Sequence, residues 1–317
     1  MRLPVSPTAP EDGGRSAARQ CGFVALIGAP NAGKSTLLNT LVGIKVAIVT
    51  PKVQTTRSRI VGIAIRGPAQ IIFVDTPGIF APRRRLDRAM VKAAWAGAAA
   101  ADRVAVLVDS AQAKDGRPDA DAERIVSGLK GGGFKATLIL NKTDRAPRAA
   151  LLKLAETFAA TGLFERTFMI SALTGDGVDD FADYLAATLD EGPWLYPEDQ
   201  VAEVPMRQLA AEITREKLFL DLRQELPYAA TVETEAWREQ RDGSVRIEQV
   251  IFVERDTQKA IVLGKGGRQI KAIGAASRVE LEEMLERRVH LFLFVKVRPG
   301  WGDDPERYRE IGLDFSE

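Results

Sequence analysis

Phe23-Val-Ala-Leu-Ile-Gly-Ala-Pro-Asn-Ala-Gly-Lys-Ser35 joins a short apolar, β-branched run to a glycine-containing loop that ends in Gly-Lys-Ser and opens a helical pattern. A strand that feeds such a loop, with a helix after it, turns the G-x-x-x-x-G-K-S spacing into a mechanism. Gly28 and Gly33 let the backbone curl, and Ala29, Pro30, Asn31 and Ala32 carry it around an anion. Loop N–H groups and the helix N-terminus supply partial positive charge. Lys34 is placed to reach the β and γ phosphates of a nucleotide, and the Ser35 hydroxyl to coordinate magnesium. The competing reading is an ordinary glycine turn, which the strand before the loop and the helix after it disfavour.

On either side of this loop, short β-branched runs alternate with longer helical patterns from residue 22 to about 190. That alternation predicts an α/β domain with a mostly parallel sheet. The expected strands are Phe23–Ile27, Ile60–Ile65, Ile71–Asp75, Val104–Asp109, Thr137–Asn141 and Thr167–Ser171. Only Arg66-Gly-Pro-Ala69 separates the second from the third, too short for a crossover helix. Those two form an antiparallel hairpin, and the six-stranded sheet is mixed.

Further motifs follow in order. Asp75-Thr76-Pro77-Gly78 lies at the C-terminal end of an apolar strand, where open α/β sheets place ligand groups. The Asp75 carboxylate would hold magnesium, through water, and the Gly78 N–H would meet the γ phosphate. Alone the string is a plausible turn; behind the phosphate loop it is read as part of the pocket. Asn141-Lys142-Thr143-Asp144 selects the base. A carboxylate accepting two hydrogen bonds suits guanine N1–H and its exocyclic amine, whereas adenine offers neither donor there. Asp144 is the expected specificity residue, Asn141 a bridge between the base and the phosphate loop, and the Lys142 stem a cover for the ring. Ser171-Ala172 closes the set, its Ala172 N–H directed at guanine O6. GTP and GDP are the expected ligands.

After residue 190 the pattern changes. Glu191-Gly-Pro-Trp-Leu-Tyr-Pro-Glu-Asp-Gln200 breaks the periodicity and predicts a linker over residues 192–203. Beyond it, Leu209, Ile213 and Leu220 fall at helical spacing with Pro227 as a stop, then strands Ala230–Trp237 and Val245–Val253, the loop Gly264-Lys265-Gly266-Gly267, a helix through Ile270 and Ile273, a helix carrying Leu281, Met284 and Leu285, and a strand from Val289 to Val297. This α-β-β-α-α-β order with a G-x-x-G loop is that of a type II KH domain, which clamps about four nucleotides of single-stranded RNA. Charge supports the loop over a bland turn. From Thr257 to Val279 stand Lys259, Lys265, Arg268, Lys271 and Arg278 with no acid, although from Val204 to Glu317 acids outnumber bases 21 to 19. Basicity focused on one loop is what phosphate neutralisation needs. Lys259, Gly264, Lys265, Gly266, Gly267, Arg268 and Lys271 are the expected RNA contacts, and some of Ile261, Val262, Ile270 and Ile273 line the groove.

Composition bounds the rest. The 317 residues, 45% apolar, suffice for two domains, expected at 21–191 and 204–317 after a disordered leader over 1–20 rich in Pro and Gly. No window holds the ~18 consecutive apolar residues of a spanning helix, and the leader has no apolar signal-peptide core. Cys21 is the only cysteine, read as a strand-edge residue, so no intramolecular disulfide or cysteine zinc site can form, which fits a cytoplasmic protein. A net charge of +1 gives no global pull toward nucleic acid. Nothing demands a dimer, and a monomer is expected. His290, the sole histidine, sits in a predicted strand and is read as structural.

Residues 22 to 190 resemble a translation-factor-type GTPase domain. The whole chain resembles the bacterial ribosome-assembly GTPases that end in a type II KH domain. The resemblance extends to Pro51-Lys-Val-Gln-Thr-Thr-Arg57, Ala211-Glu-Ile-Thr-Arg-Glu-Lys-Leu218, Glu225-Leu-Pro-Tyr228, Val253-Glu-Arg-Asp256 and Leu263-Gly-Lys-Gly-Gly267. It implies that residues 51–57 form the first switch, with Thr56, or alternatively Thr55, on magnesium in the GTP state only. It implies binding near the 3′ end of 16S ribosomal RNA during 30S maturation, and peripheral contact with the inner membrane. Two departures stand out. Ras-like switches carry a water-orienting glutamine after the third-motif glycine, but here Ile79 follows Gly78, so another group must act and slow hydrolysis is expected. Some relatives with an apolar residue there use a potassium ion held by an asparagine at the place of Asn31. The family's arginine after the tail tryptophan is missing from Trp301-Gly-Asp-Asp304. Two rivals remain: a P-loop small-molecule kinase, which has no use for Asn-Lys-Thr-Asp, and a GTPase whose last domain contacts only protein.

Overall fold

The computed structural model describes residues 18–300 apart from 54, 83, 114, 115 and 223–225. Most of the expected leader, the tail motif from Trp301, Gln54 and Glu225 therefore lie outside the described residues. The first half is a six-stranded sheet in the order β2-β3-β1-β4-β5-β6, built from β1 (Gln20–Gly28), β2 (Ile60–Arg66), β3 (Ala69–Asp75), β4 (Arg103–Asp109), β5 (Ala136–Asn141) and β6 (Phe164–Met169). β2 and β3 pair antiparallel and all other neighbours parallel, the mixed arrangement that the short 66–69 connection dictates.

Helices cover both faces, so the central strands are apolar over most of their length. α1 (Lys34–Val42) and α5 (Val178–Thr188) bury Leu37, Leu38, Phe181 and Leu185 on one side. α2 (Arg85–Ala99), α3 (Ala120–Gly132) and α4 (Arg148–Ala159) bury Ala94, Ile125, Leu129, Leu154 and Phe158 on the other. Five parallel strands, β3, β1, β4, β5 and β6, thus end on one edge, where the motif loops meet. Two expectations need correction here. β6 runs from Phe164 to Met169 and stops before Ser171, whose N–H donates to Asp176 O (2.9 Å) and closes a loop. Gln20, assigned to the leader, begins β1, with Cys21 next to it at that end of the strand.

The second half packs α6 (Met206–Asp221), α7 (Asp256–Leu263) and α8 (Arg268–Leu285) on a three-stranded sheet ordered β7-β8-β9, from β7 (Ala230–Glu239), β8 (Val245–Val253) and β9 (Val289–Val297). The order α-β-β-α-α-β holds, but the two helices divide elsewhere. The first precedes the glycine loop, begun by the Gln258 amide accepting from Glu254 N (2.8 Å) and Arg255 N (3.1 Å). The expected helices through Ile273 and Leu281 are one 18-residue helix, because no break intervenes. α6 ends at Asp221 ahead of Pro227, and Leu220 faces solvent while Leu209, Ile213 and Leu218 are buried.

Residues 192–203, expected as a plain linker, are bonded to the first sheet. Trp194 Nε1 donates to Pro68 O (3.0 Å), Leu195 N and Tyr196 N donate to the Gln70 amide oxygen (2.8 and 3.0 Å), and Ile63 N donates to Val201 O (2.8 Å). Glu203 N donates to Val61 O (3.1 Å), so the segment pairs with the otherwise open edge of β2.

Candidate nucleotide pocket and nucleic-acid loop

The phosphate loop folds as its glycines require. Gly33 caps α1 at φ 98°, and a Cβ there would stand 2.2 Å from the Asn141 amide nitrogen, so this position admits only glycine. That contact ties two motifs together: Asn141 Nδ2 donates to Ala32 O (2.8 Å) and its Oδ1 accepts from Ala172 N (2.9 Å). Asn141 therefore braces the phosphate loop against the Ser171-Ala172 loop. The Ala172 N–H, expected at guanine O6, is directed to Asn141 in this structure. Lys34 is buried and donates to Gly28 O (3.1 Å) and Ala29 O (3.0 Å). Burial pulls its pKa down to about 8 against the opposing field of Asp75.

Beneath the loop three oxygen-bearing side chains converge. Ser35 Oγ donates to Asp75 Oδ2 (2.6 Å), Thr56 Oγ1 lies 2.9 Å from Ser35 Oγ, and Thr56 Oγ1 donates to Asp75 Oδ2 (3.4 Å). Asp75 is fully buried, which raises its pKa, and its Oδ1 has no hydrogen-bond partner. An orphaned buried carboxylate oxygen beside two hydroxyls fits a hard divalent cation with oxygen ligands. Thr55 is turned away, its hydroxyl bonded to Lys52 O (2.8 Å) and Thr50 Oγ1 (2.7 Å). Of the two threonines, Thr56 is the one at this cluster.

A cavity of about 600 Å³ opens above, lined by Asn31, Lys34, Ser35, Thr56, Gly78 and Lys142 among others. Asn31 Nδ2 donates to Pro51 O (2.9 Å), which brings the phosphate loop and first switch into contact. Thr76 donates to Leu26 O (2.9 Å) and serves the loop's shape; Pro77 follows it, and Thr143 N is bonded to Ile170 O (3.2 Å). Asp144 is exposed and without a partner among the described residues, so its carboxylate is open to a base. Ile79 is fully buried in the core with Ala25, Ile27 and Ala94, and its N–H donates to Gly28 O (3.0 Å). Its side chain cannot approach a phosphate, let alone orient water.

In the second half, Lys265–Gly267 form one tight turn between α7 and α8. Gly264 adopts φ 70°, and a Cβ would meet that of Gln269 at 2.7 Å. Gly266 and Gly267 are also left-handed, at φ 63° and 74°. Lys265, Arg268 and Lys271 are exposed and Lys259 is half-buried, and none of the four pairs with an acid among the described residues. Arg278 does, with Glu282 (2.8 Å). Val262 and Ile273 are buried core and Ile270 packs against them, whereas Ile261 is 57% exposed.

Comparison with known proteins agrees with this two-part plan. Residues 23–142 match the family model described as 50S ribosome-binding GTPase, and residues 225–302 the KH domain model. The chain is 67% identical to GTPase Era of Rhizobium meliloti over 93% of both sequences, and 61% identical to GTPase Era of Brucella suis over 96% of this chain and 97% of that one. The chain belongs to the Era family. It is a P-loop GTPase with a C-terminal KH domain, and it hydrolyses GTP. Among solved structures, a tyrosine-to-alanine variant of Aquifex aeolicus Era bound to GDP·AlF4⁻ superposes with a TM-score of 0.86 at 36% identity, over 93% of this chain and 99% of that one. A second Era structure, in complex with MgGDPNP and nucleotides 1506–1542 of 16S ribosomal RNA, gives 0.87 at 36% identity with the same coverage.

Two features of this Era-family chain escape its motifs. Lys142, in the left-handed region at φ 65°, pairs through Nζ with Asp109 Oδ2 (2.7 Å) at the end of β4. The first switch and the residues flanking it, 45–58 together, are also bonded to the second half, chiefly to α6. Lys45 pairs with Glu216 (2.6 Å) and Glu280 (2.5 Å), and Val49 N donates to Glu216 Oε1 (2.9 Å). Lys52 Nζ donates to the carbonyls of Phe219 and Leu222 at the C-terminus of α6, Arg57 to Ala230 O (3.0 Å) and Pro227 O (3.3 Å), and Gln208 to Ser58 Oγ (3.2 Å). A lysine on those last carbonyls meets both unpaired acceptors and the negative end of the helix dipole. The block Ala211–Leu218 was visible in the sequence, but not what it touches.

Proposed function

We propose that the chain is a nucleotide-gated RNA-binding switch that assists 30S subunit assembly at the 3′ region of 16S ribosomal RNA. The observation that carries this reading is the contact between the first switch and α6: the loop that meets the nucleotide is the loop that holds the KH half. With GTP bound, Thr56 and Gly78 would hold their loops closed around the γ phosphate, and loss of that phosphate would release them. Ser35, Thr56 and Asp75 would hold magnesium, which supplies charge neutralisation at the phosphates. Lys34 binds the phosphates, Asp144 reads the base, and the Gly264–Gly267 loop with Lys259, Lys265, Arg268 and Lys271 takes single-stranded RNA. The relative solved with MgGDPNP and 16S RNA supports the same pairing of ligands. We take residues 21–191 as the GTPase domain, 192–203 as the connector and 204–317 as the KH domain, working as a cytoplasmic monomer. Peripheral contact with the inner membrane rests on the family resemblance alone; no helix among the described residues is long and apolar enough to cross a membrane.

RNA affinity should be about fivefold or more tighter with a GTP analogue than with GDP, the usual scale of such couplings. Titration of the 16S 3′-end oligonucleotide in both states tests this, and equal affinities would remove the gating.

With Ile79 in the core, water must be oriented by another group. A potassium ion held by the Asn31 amide oxygen is the reading we favour: Asn31 Nδ2 donates to Pro51 O (2.9 Å), which fixes the side chain where the loop and the switch meet and leaves its oxygen to serve a cation. Hydrolysis should then run several-fold faster in K⁺ than in Na⁺, and Asn31→Ala should erase the difference. A wild-type rate indifferent to the two ions refutes it.

A further inference from the structure

We propose that Arg215, on the KH half, is a positioning residue for the GTPase: it fixes the peptide that presents Thr56 to the magnesium cluster. Arg215 is 1% exposed, the largest fully buried side chain in the described structure. Its Nε donates to Glu212 Oε1 (2.8 Å), and its Nη2 donates both to Glu212 Oε2 and, across the two halves, to the Thr55 carbonyl. The guanidinium lies 5.1 Å from the centre of the Phe219 ring, and Arg57 of the first switch lies 5.7 Å from the same ring.

A buried arginine is a weak source of stability, since well-packed apolar residues often do as well. Here its cost is compounded, because Nη1 is buried with no acceptor. The placement makes sense through what Nη2 holds. The Thr55 carbonyl and the Thr56 N–H belong to one planar peptide unit, so pinning the carbonyl sets the plane from which the Thr56 side chain departs. That side chain is the one 2.9 Å from Ser35 Oγ and 3.4 Å from Asp75 Oδ2. Thr55's own hydroxyl is spent inside the loop, on Lys52 O and Thr50, and cannot do this work. A bond from α6 to the residue before Thr56 therefore favours the closed switch, the form that only a triphosphate with magnesium should use. The KH half completes the triphosphate site without touching nucleotide.

The proposal rests on the assignment of Thr56 to magnesium, and the test separates the two. In the full chain, Arg215→Ala should weaken binding of a magnesium-bound GTP analogue about tenfold, the scale of a hydrogen bond from a charged donor, and leave GDP affinity within about twofold. Thr56→Ala should show the same selectivity, and the double variant should add nothing to it. GDP and RNA binding report that both halves remain folded. If alanine leaves too large a void for α6, Arg215→Lys keeps stem and charge but cannot serve Glu212 and Thr55 together, and a selective loss of about threefold is expected. Equal losses for GDP and analogue, unchanged analogue affinity in a folded variant, or additive effects in the double variant overturn the role of Arg215. Wild-type analogue affinity in Thr56→Ala overturns the magnesium assignment and the proposal with it.

Discussion

Replacing Asp144 by asparagine is expected to lower GTP affinity by about a thousandfold or more and to transfer binding to xanthosine triphosphate. The carboxylate stands exposed, with no partner among the described residues, at the end of a loop that Asn141 holds against both neighbouring motifs. Guanine offers N1–H and an amine to its two oxygens. Asparagine keeps one acceptor and replaces the other with a donor, which faces the guanine amine unpaired but matches the xanthine carbonyl. Competition binding with GTP, XTP and ATP reads the outcome directly. Undiminished GTP binding would show that base selection lies elsewhere, and tight ATP binding by the wild type would revive a kinase reading. Because Asn141 and Lys142 keep their own partners, the variant should fold normally.

Substituting Lys265 and Gly266 together by aspartate should reduce RNA binding by about a hundredfold and leave GTP hydrolysis intact. The loop must approach phosphates closely, and two carboxylates there replace an exposed cation with repulsion. Gly266 is a suitable site: a Cβ would meet nothing within 4 Å, and aspartate tolerates the left-handed region better than most residues. Loss of crosslinking to the 16S 3′-end oligonucleotide with normal turnover would support two separable sites. Unchanged RNA binding would refute them and favour a KH half that contacts only protein.

The sequence was most legible where function is written contiguously. Gly28–Ser35, Asp75–Gly78 and Asn141–Asp144 each follow a strand of the first sheet, so a short string and its strand context locate them together. Element boundaries were less legible. The run Thr167–Ser171 looks like a strand, yet the ladder ends at Met169 because Ser171 bonds to Asp176 instead. Asp256–Leu263 went unread as a helix because the glycine loop after it drew the division. Least legible was the contact surface of the first switch. Its partners lie far along the chain: Arg215 meets Thr55 across 160 residues and Arg57 meets Ala230 across 173. No periodicity in one sequence encodes such pairs. Arg215 and Glu216 are charged residues of α6, the kind that usually faces solvent, yet both are buried.

The pairing of residues 201–203 onto β2 leaves only Val204 and Pro205 between the first sheet and α6. A free twelve-residue tether would let the KH half wander, and each return to the switch would carry a loop-closure entropy. With the segment pinned to β2 by an antiparallel bridge at Ala202, α6 is kept at high effective concentration beside the loop it grips. Opening the switch then amounts to a hinge event at one short joint, and reclosure should be a fast, first-order step that does not slow with dilution.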